Sequence, residues 1–129
     1  MARRPDVDRQ RLGRIAEDIA VSFLLSHGLE ILLRNFRRRA GELDIIARQR
    51  DVLVIVEVRT RSDARFGGAA ASVGRSKQQR LLRAAQQLLQ QRRDLARLPA
   101  RFDVIVVHEP TCAGQRVQWI RHAFTARAT

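Results

Sequence analysis

Apolar and polar residues alternate with period two along residues 41–47 (Gly-Glu-Leu-Asp-Ile-Ile-Ala) and 52–59 (Val-Leu-Val-Ile-Val-Glu-Val-Arg), which predicts two strands. Arg50 and Asp51 lie between them as a turn. A two-residue hairpin loop there pairs Gln49 with Val52 and fixes every pair behind it. That register puts Leu43, Ile45, Ala47, Val54, Val56 and Val58 on one wholly apolar face. The other face carries Ile46, Leu53 and Ile55 near the turn, then Glu42, Asp44, Glu57 and Arg59 at the far end. Asp44 is expected opposite Glu57, and Glu42 opposite Arg59. A slip of one residue would mix the two faces, so the pattern itself supports the register.

The remaining pattern is helical at two places. Residues 9–27 align Leu12, Ile15, Ala16, Ile19, Ala20, Phe23 and Leu24, with Asp8 as the expected N-cap and Gly28 as the stop. Residues 76–92 align Leu81, Leu82, Ala85, Leu88 and Leu89. Further strands are expected over 30–36, over 101–108 with Phe102, Val104 and Val106 on one face, and over 116–123. The stretch 62–74, with Phe66-Gly67-Gly68 and a run of alanines, reads as a loop. The order α-β-β-β-α-β-β predicts an α/β domain with a mixed central sheet and flanking helices. It would span residues 8–123, between a basic arm at 1–7 and a tail at 124–129.

Charge changes the picture. The chain carries 25 Lys and Arg against 13 Asp and Glu, a formal net charge of +12 over 129 residues. Such an excess favours a polyanionic partner, nucleic acid first and an acidic membrane surface second; a solvated basic surface is the plain alternative. Lys77 is the one lysine, so the other 24 basic residues are arginine, a bias that GC-rich coding explains without reference to function. Cys112 is the lone cysteine, which precludes an intrachain disulfide and fits a reducing compartment. No apolar run reaches membrane-spanning length, and no signal-type apolar segment follows the basic N-terminus. A cytoplasmic protein is expected. His27, His108 and His122 are too scattered for a zinc site, and no glycine-rich phosphate loop is present. Five Phe, one Trp and no Tyr argue against a base-stacking platform, leaving backbone- and shape-directed binding.

The opposed carboxylates carry the chemistry. Two facing carboxylates destabilise a sheet unless something neutralises them, and a divalent cation held by oxygen ligands does so. An acid on one strand followed by Glu-x-basic on the next is the sequence form of the PD-(D/E)xK nuclease site, here Asp44 and Glu57-Val58-Arg59. Glu57 and Arg59 are two apart and share a face. Asp44 and Glu57 are therefore candidate ligands for Mg²⁺ or Mn²⁺, which activates water for phosphodiester hydrolysis. A cation at Arg59 positions water or neutralises developing charge.

A wider set of residues recurs in one order: Gly13 and Glu17 on the first helix, Arg34-Asn35, Gly41-Glu42-Leu43-Asp44, Val56-Glu57-Val58-Arg59-Thr60-Arg61, Phe66-Gly67, Lys77 and Arg101-Phe102-Asp103-Val104. This set resembles the YraN-like family of bacterial proteins, which is classed with the restriction-endonuclease-like fold and is similar to archaeal Holliday junction resolvases. The resemblance covers about residues 11–107. It implies Asp44 and Glu57 as metal ligands, Glu42 as a nearby carboxylate, and Glu17 as a helix glutamate completing the metal shell. It also implies a homodimer, because junction resolvases of this fold cut two strands symmetrically. Two positions depart from the family's pattern: Arg59 stands where the motif has Lys, and Ala16 where a Gly precedes the helix Glu. Arg does not give up its proton, so Arg59 is confined to an electrostatic role. Drift at a tolerant site and loss of activity both fit that replacement.

Each candidate also has a plainer reading. Glu17 can be a solvated helix residue, Glu42 an ion-pair partner of Arg59, and Asp103 a turn-bonding residue. Lys77, on the inward stripe of the second helix, either faces the site or snorkels. Arg37, Arg38, Arg39 and Arg61 are candidate phosphate contacts or solvated side chains. The leading expectation is a metal-dependent DNA endonuclease, with branched DNA as one substrate class. The second is a nucleic-acid-binding protein that keeps the fold without the chemistry. The third is an interaction protein whose basic face meets an acidic protein or membrane.

Overall fold

The computed structural model describes residues 5–61, 73–111 and 113–124, with the side chains of 5–7 left aside. The elements run α1 (Pro5–Ser26), β1 (Glu30–Arg38), β2 (Gly41–Gln49), β3 (Val52–Arg61), α2 (Arg75–Gln91), the single turn α3 (Arg93–Ala96), β4 (Ala100–His108) and β5 (Arg116–Phe124). The five strands form one sheet in the order β1-β2-β3-β4-β5. Only β3 and β4 pair in parallel, because the chain between them crosses over through α2 and α3. This is the expected mixed α/β architecture of restriction-endonuclease-like type, with α3 added.

Helix α1 starts at Pro5 rather than after Asp8. Proline has φ pre-set for the first helical turn, and Asp8 lies inside the helix. Ala16, Ala20 and Leu24 are fully buried at four-residue intervals, so small side chains let α1 lie close to the sheet. The helix ends as expected at Gly28, whose φ is +83°. The Leu29 amide bonds the Leu24 carbonyl and the Gly28 amide the Leu25 carbonyl, each at 3.0 Å, a Schellman cap.

The sheet is covered on both faces. Under α1 lie Ile45, Ala47, Val54, Val56, Ile105 and Val107. Under α2 lie Phe36, Leu43, Ile46, Leu53, Ile55, Phe102, Val104 and Val106. Leu43 is a correction: it packs on the α2 side, not with Ile45 and Ala47. In β2 the pair Leu43 and Ile46, and in β1 the pair Leu33 and Phe36, share that layer although each pair is three residues apart. Strict alternation forbids this, so both strands change face between these residues. Asn35 marks the place, with φ of +55° between the pairs Arg34–Ile45 and Phe36–Leu43.

Asp103 is structural. It is buried and accepts bonds from Arg101 Nε at 3.1 Å, Trp119 Nε1 at 2.9 Å and the His122 amide at 3.1 Å. These tie β4 to β5 where their register shifts between Phe102 and Val104.

Candidate active site

The hairpin register is as expected for five pairs, from Gln49–Val52 back to Ile45–Val56, and there the β2–β3 ladder ends. Strand β3 stays paired with β4 as far as Arg61–His108, and β2 stays paired with β1 as far as Arg38–Gly41. The sheet therefore forks at the position of Asp44 and Glu57. In place of the next ladder bond, the Val58 amide donates to Asp44 Oδ2 at 2.9 Å. Glu42 consequently has no ladder partner in β3. Its described ion pair is with Arg37 across β1, at 3.1 Å.

Asp44 and Glu57 meet at the fork. Burial, then the Glu57 charge, with a smaller contribution from Glu42, push the Asp44 carboxyl up to about 7, against the pull of the Val58 amide. Glu57 is only 11% exposed, and its Oε2 accepts no hydrogen bond. Two carboxylates so placed repel each other, and the bonds they make do not offset it.

Two elements bring further groups. From α1, Glu17 lines a cleft of about 430 Å³ together with Gln10, Gly13, Arg14, Asn35, Arg37, Glu42, Asp44 and Val58. Arg34 Nε and Asn35 Nδ2 each donate to Glu17 Oε1 at 3.0 Å, and Arg34 Nη2 donates to Asp18 at 2.6 Å. Asn tolerates the left-handed backbone that turns β1 here, so one residue both bends the strand and holds Glu17. From α2, Lys77 places Nζ 3.5 Å from Glu57 Oε2. It faces the site rather than solvent alone.

Asp44, Glu57, Glu17, Glu42 and Lys77 thus gather around the fork. Among the described residues, no three His, Cys, Asp or Glu side chains converge closely enough to hold an ion between them. Glu17 lines the cleft without closing a three-carboxylate cage. Mg²⁺ does not need one, since it keeps several waters and takes one or two carboxylates plus substrate phosphate. Arg59 is half-buried and, like Arg61, is engaged in an interaction of its own. Arg38 stacks over Phe36 at 4.1 Å and bonds Gln91 at 2.8 Å, whereas Arg39 is exposed. Phe66-Gly67 and Cys112 lie outside the described residues.

Sequence reading missed the roles of Asn35, Arg34 and the Val58 amide. The Arg34-Asn35 pair between the apolar Ile31-Leu32-Leu33 and Phe36 of β1 was the available signal for the first two. Nothing in the side chains announced the third, which is a backbone group.

The model of the uncharacterised protein family UPF0102 matches residues 16–107, which include every residue of the fork. The chain belongs to UPF0102. A UPF0102 protein of Alkalilimnicola ehrlichii is 48% identical over 126 residues, 96% of each chain. One from Saccharophagus degradans is 50% identical over 113 residues, covering 88% of this chain and 92% of the relative. One from Pseudomonas entomophila is 43% identical over 120 residues, covering 93% and 98%. The UPF0102 match and the YraN-like pattern therefore fall on the same stretch of sequence. No helix among the described residues is long and apolar enough to cross a membrane.

Proposed function

We propose that this UPF0102 chain is a divalent-metal-dependent endonuclease of the PD-(D/E)xK type, acting on DNA phosphodiesters. The observation that carries the reading is the half-buried Asp44–Glu57 pair at the end of the β2–β3 ladder, with Asp44 held far above the carboxylate range. Asp44 and Glu57 would hold Mg²⁺ or Mn²⁺. When bound, the ion supplies a water of lowered pKa and neutralises charge on the phosphoryl oxygens. The Val58 amide fixes the Asp44 carboxylate. Arg34 and Asn35 fix Glu17 on the opposite wall of the cleft. Lys77 keeps an ammonium beside Glu57, where it can balance negative charge that grows during attack. Arg59 contributes charge but not base chemistry.

The net charge of +12 supports a polyanionic substrate. Branched DNA and a homodimer are the finer proposals, and they rest on the likeness to junction resolvases. A second reading is a nucleic-acid-binding protein without chemistry, and Arg59 in place of the motif lysine favours it. The test is cleavage of a labelled four-way junction, a matched duplex and a single strand with Mg²⁺ or Mn²⁺. Wild type, Asp44→Asn and Arg59→Lys are compared. Metal-dependent cutting that disappears in Asp44→Asn supports the nuclease. Salt-sensitive binding without cutting by wild type supports the second reading.

A further inference from the structure

Helix α2 is 17 residues long, RSKQQRLLRAAQQLLQQ, and contains no acidic residue. Its inner face is Leu81, Ala84, Ala85 and Leu88, all buried against the sheet. Its outer face is the stripe Arg75, Gln79, Arg83, Gln86 and Gln90, spaced by three or four residues, with Arg80 beside it; all six are exposed. Elsewhere Arg34, Arg37, Arg48, Arg92 and Arg101 each pair with a carboxylate. Arg75, Arg80 and Arg83 have no such partner among the described residues.

This face opposes helix stability. Cations in the first turn lie at the positive end of the helix dipole and are unfavourable there. Arg75 and Lys77 both occupy that turn, which contains no acid of its own, only Lys77 is met by a carboxylate, that of Glu57, and Gly74 makes no side-chain cap. Long polar side chains without local partners suit a partner that brings the negative charge.

The face is continuous with two other features. Lys77 leads to Glu57 at the fork. The β1–β2 turn rests on the helix at Arg80, so closely that a Cβ on Gly41 would lie 2.9 Å from the Arg80 carbonyl oxygen. Arg39, two residues before Gly41 in the same turn, is exposed.

We infer that the outer face of α2 is a docking surface for the phosphate backbone of duplex DNA. Arg75, Arg80 and Arg83 contact phosphates, and the glutamine amides donate to phosphate or sugar oxygens. Along the axis Arg75 and Arg83 are about 12 Å apart at about 1.5 Å per residue, comparable to the width of a major groove. The contacts are to backbone, so binding is independent of sequence. This surface goes beyond the catalytic proposal and does not depend on cleavage.

The test is anisotropy of a fluorescein-labelled 30-base-pair duplex in EDTA, across a NaCl series. Wild type is compared with Arg75→Gln/Arg80→Gln/Arg83→Gln and with Arg50→Gln, a change at the distant β2–β3 turn. The triple variant is expected to lower the magnitude of the log K against log[salt] slope by about 2–3, at about 0.9 per phosphate contact. Its affinity should fall at least 10-fold at 100 mM salt, while Arg50→Gln binds as wild type. Its melting temperature should not fall, since Arg75 leaves the positive end of the helix and Gln is about as good a helix former as Arg. Unchanged binding by the triple variant overturns the proposal, as does an equal loss per charge at Arg50. Binding of wild type to phosphatidylserine vesicles but not to duplex also overturns it, in favour of a membrane surface. Because no divalent ion is present, none of these failures bears on the Asp44–Glu57 site.

Discussion

Replacing Asp44 by Asn should stabilise the metal-free protein at alkaline pH. The folded protein holds the Asp44 carboxyl at about 7 against an ordinary 3.8. The folded state therefore keeps a proton that the unfolded state releases between about pH 4 and pH 7. Stability then falls as pH rises through that window. The full shift corresponds to about 4 kcal/mol above pH 7. Relaxation and water at a site open to the cleft should reduce the measured value to about 1–3 kcal/mol. Asn is isosteric, its side-chain oxygen still accepts from the Val58 amide, and it has no charge for Glu57 to repel. In urea melts with EDTA, Asp44→Asn should exceed wild type by about 1–3 kcal/mol at pH 8, or about 3–10 °C in Tm. Most of that advantage should be gone at pH 4.5. Mg²⁺ at 100 times its Kd should add about 2.7 kcal/mol to wild type and little to the variant. A variant less stable than wild type at pH 8, or a gap that does not change with pH, would refute the reasoning.

Three other outcomes follow. Gly41→Ala should cost about 1–3 kcal/mol in urea unfolding, because its Cβ meets the Arg80 carbonyl oxygen at 2.9 Å, a backbone atom that cannot swing away. Asp103→Ala should cost about 3–5 kcal/mol or prevent folding, read as loss of the cooperative transition, because it strips the half-buried Arg101 of its carboxylate and Trp119 Nε1 of its acceptor. Lys77→Met should slow metal-dependent DNA cleavage by about 10²-fold with the melting transition retained, and Lys77→Arg should recover part of the rate; equal rates in all three would remove Lys77 from the site.

The hairpin was legible because its two strands are covered on both faces and its turn is two residues long. Period, turn and charge all specified the same register near Arg50. Legibility ended where the ladder ends. Nothing in the alternation of 41–47 shows that Asn35, on a different strand, takes a left-handed conformation and carries Leu43 to the other layer. The acids Asp44 and Glu57 stood out because opposed carboxylates have few structural uses in a sheet. Glu42 was legible as a charge but not as the partner of Arg37, which depends on β1 pairing from the far side. Lys77 could be placed on an inward stripe from spacing alone, while its 3.5 Å approach to Glu57 required the crossover that lays α2 across β2. The uncommitted arginines of α2 could not be told from committed ones in a chain with 24 of them. Commitment is a matter of which carboxylates the fold brings near.

The central claim is that Asp44 and Glu57 together hold a divalent ion. Titrating Mn²⁺ into wild type, Asp44→Asn and Glu57→Gln, with free Mn²⁺ followed by electron paramagnetic resonance, tests it most directly. Saturable binding to wild type that weakens at least 10-fold in each variant is expected. Equal binding by all three proteins, or none by wild type, would contradict it.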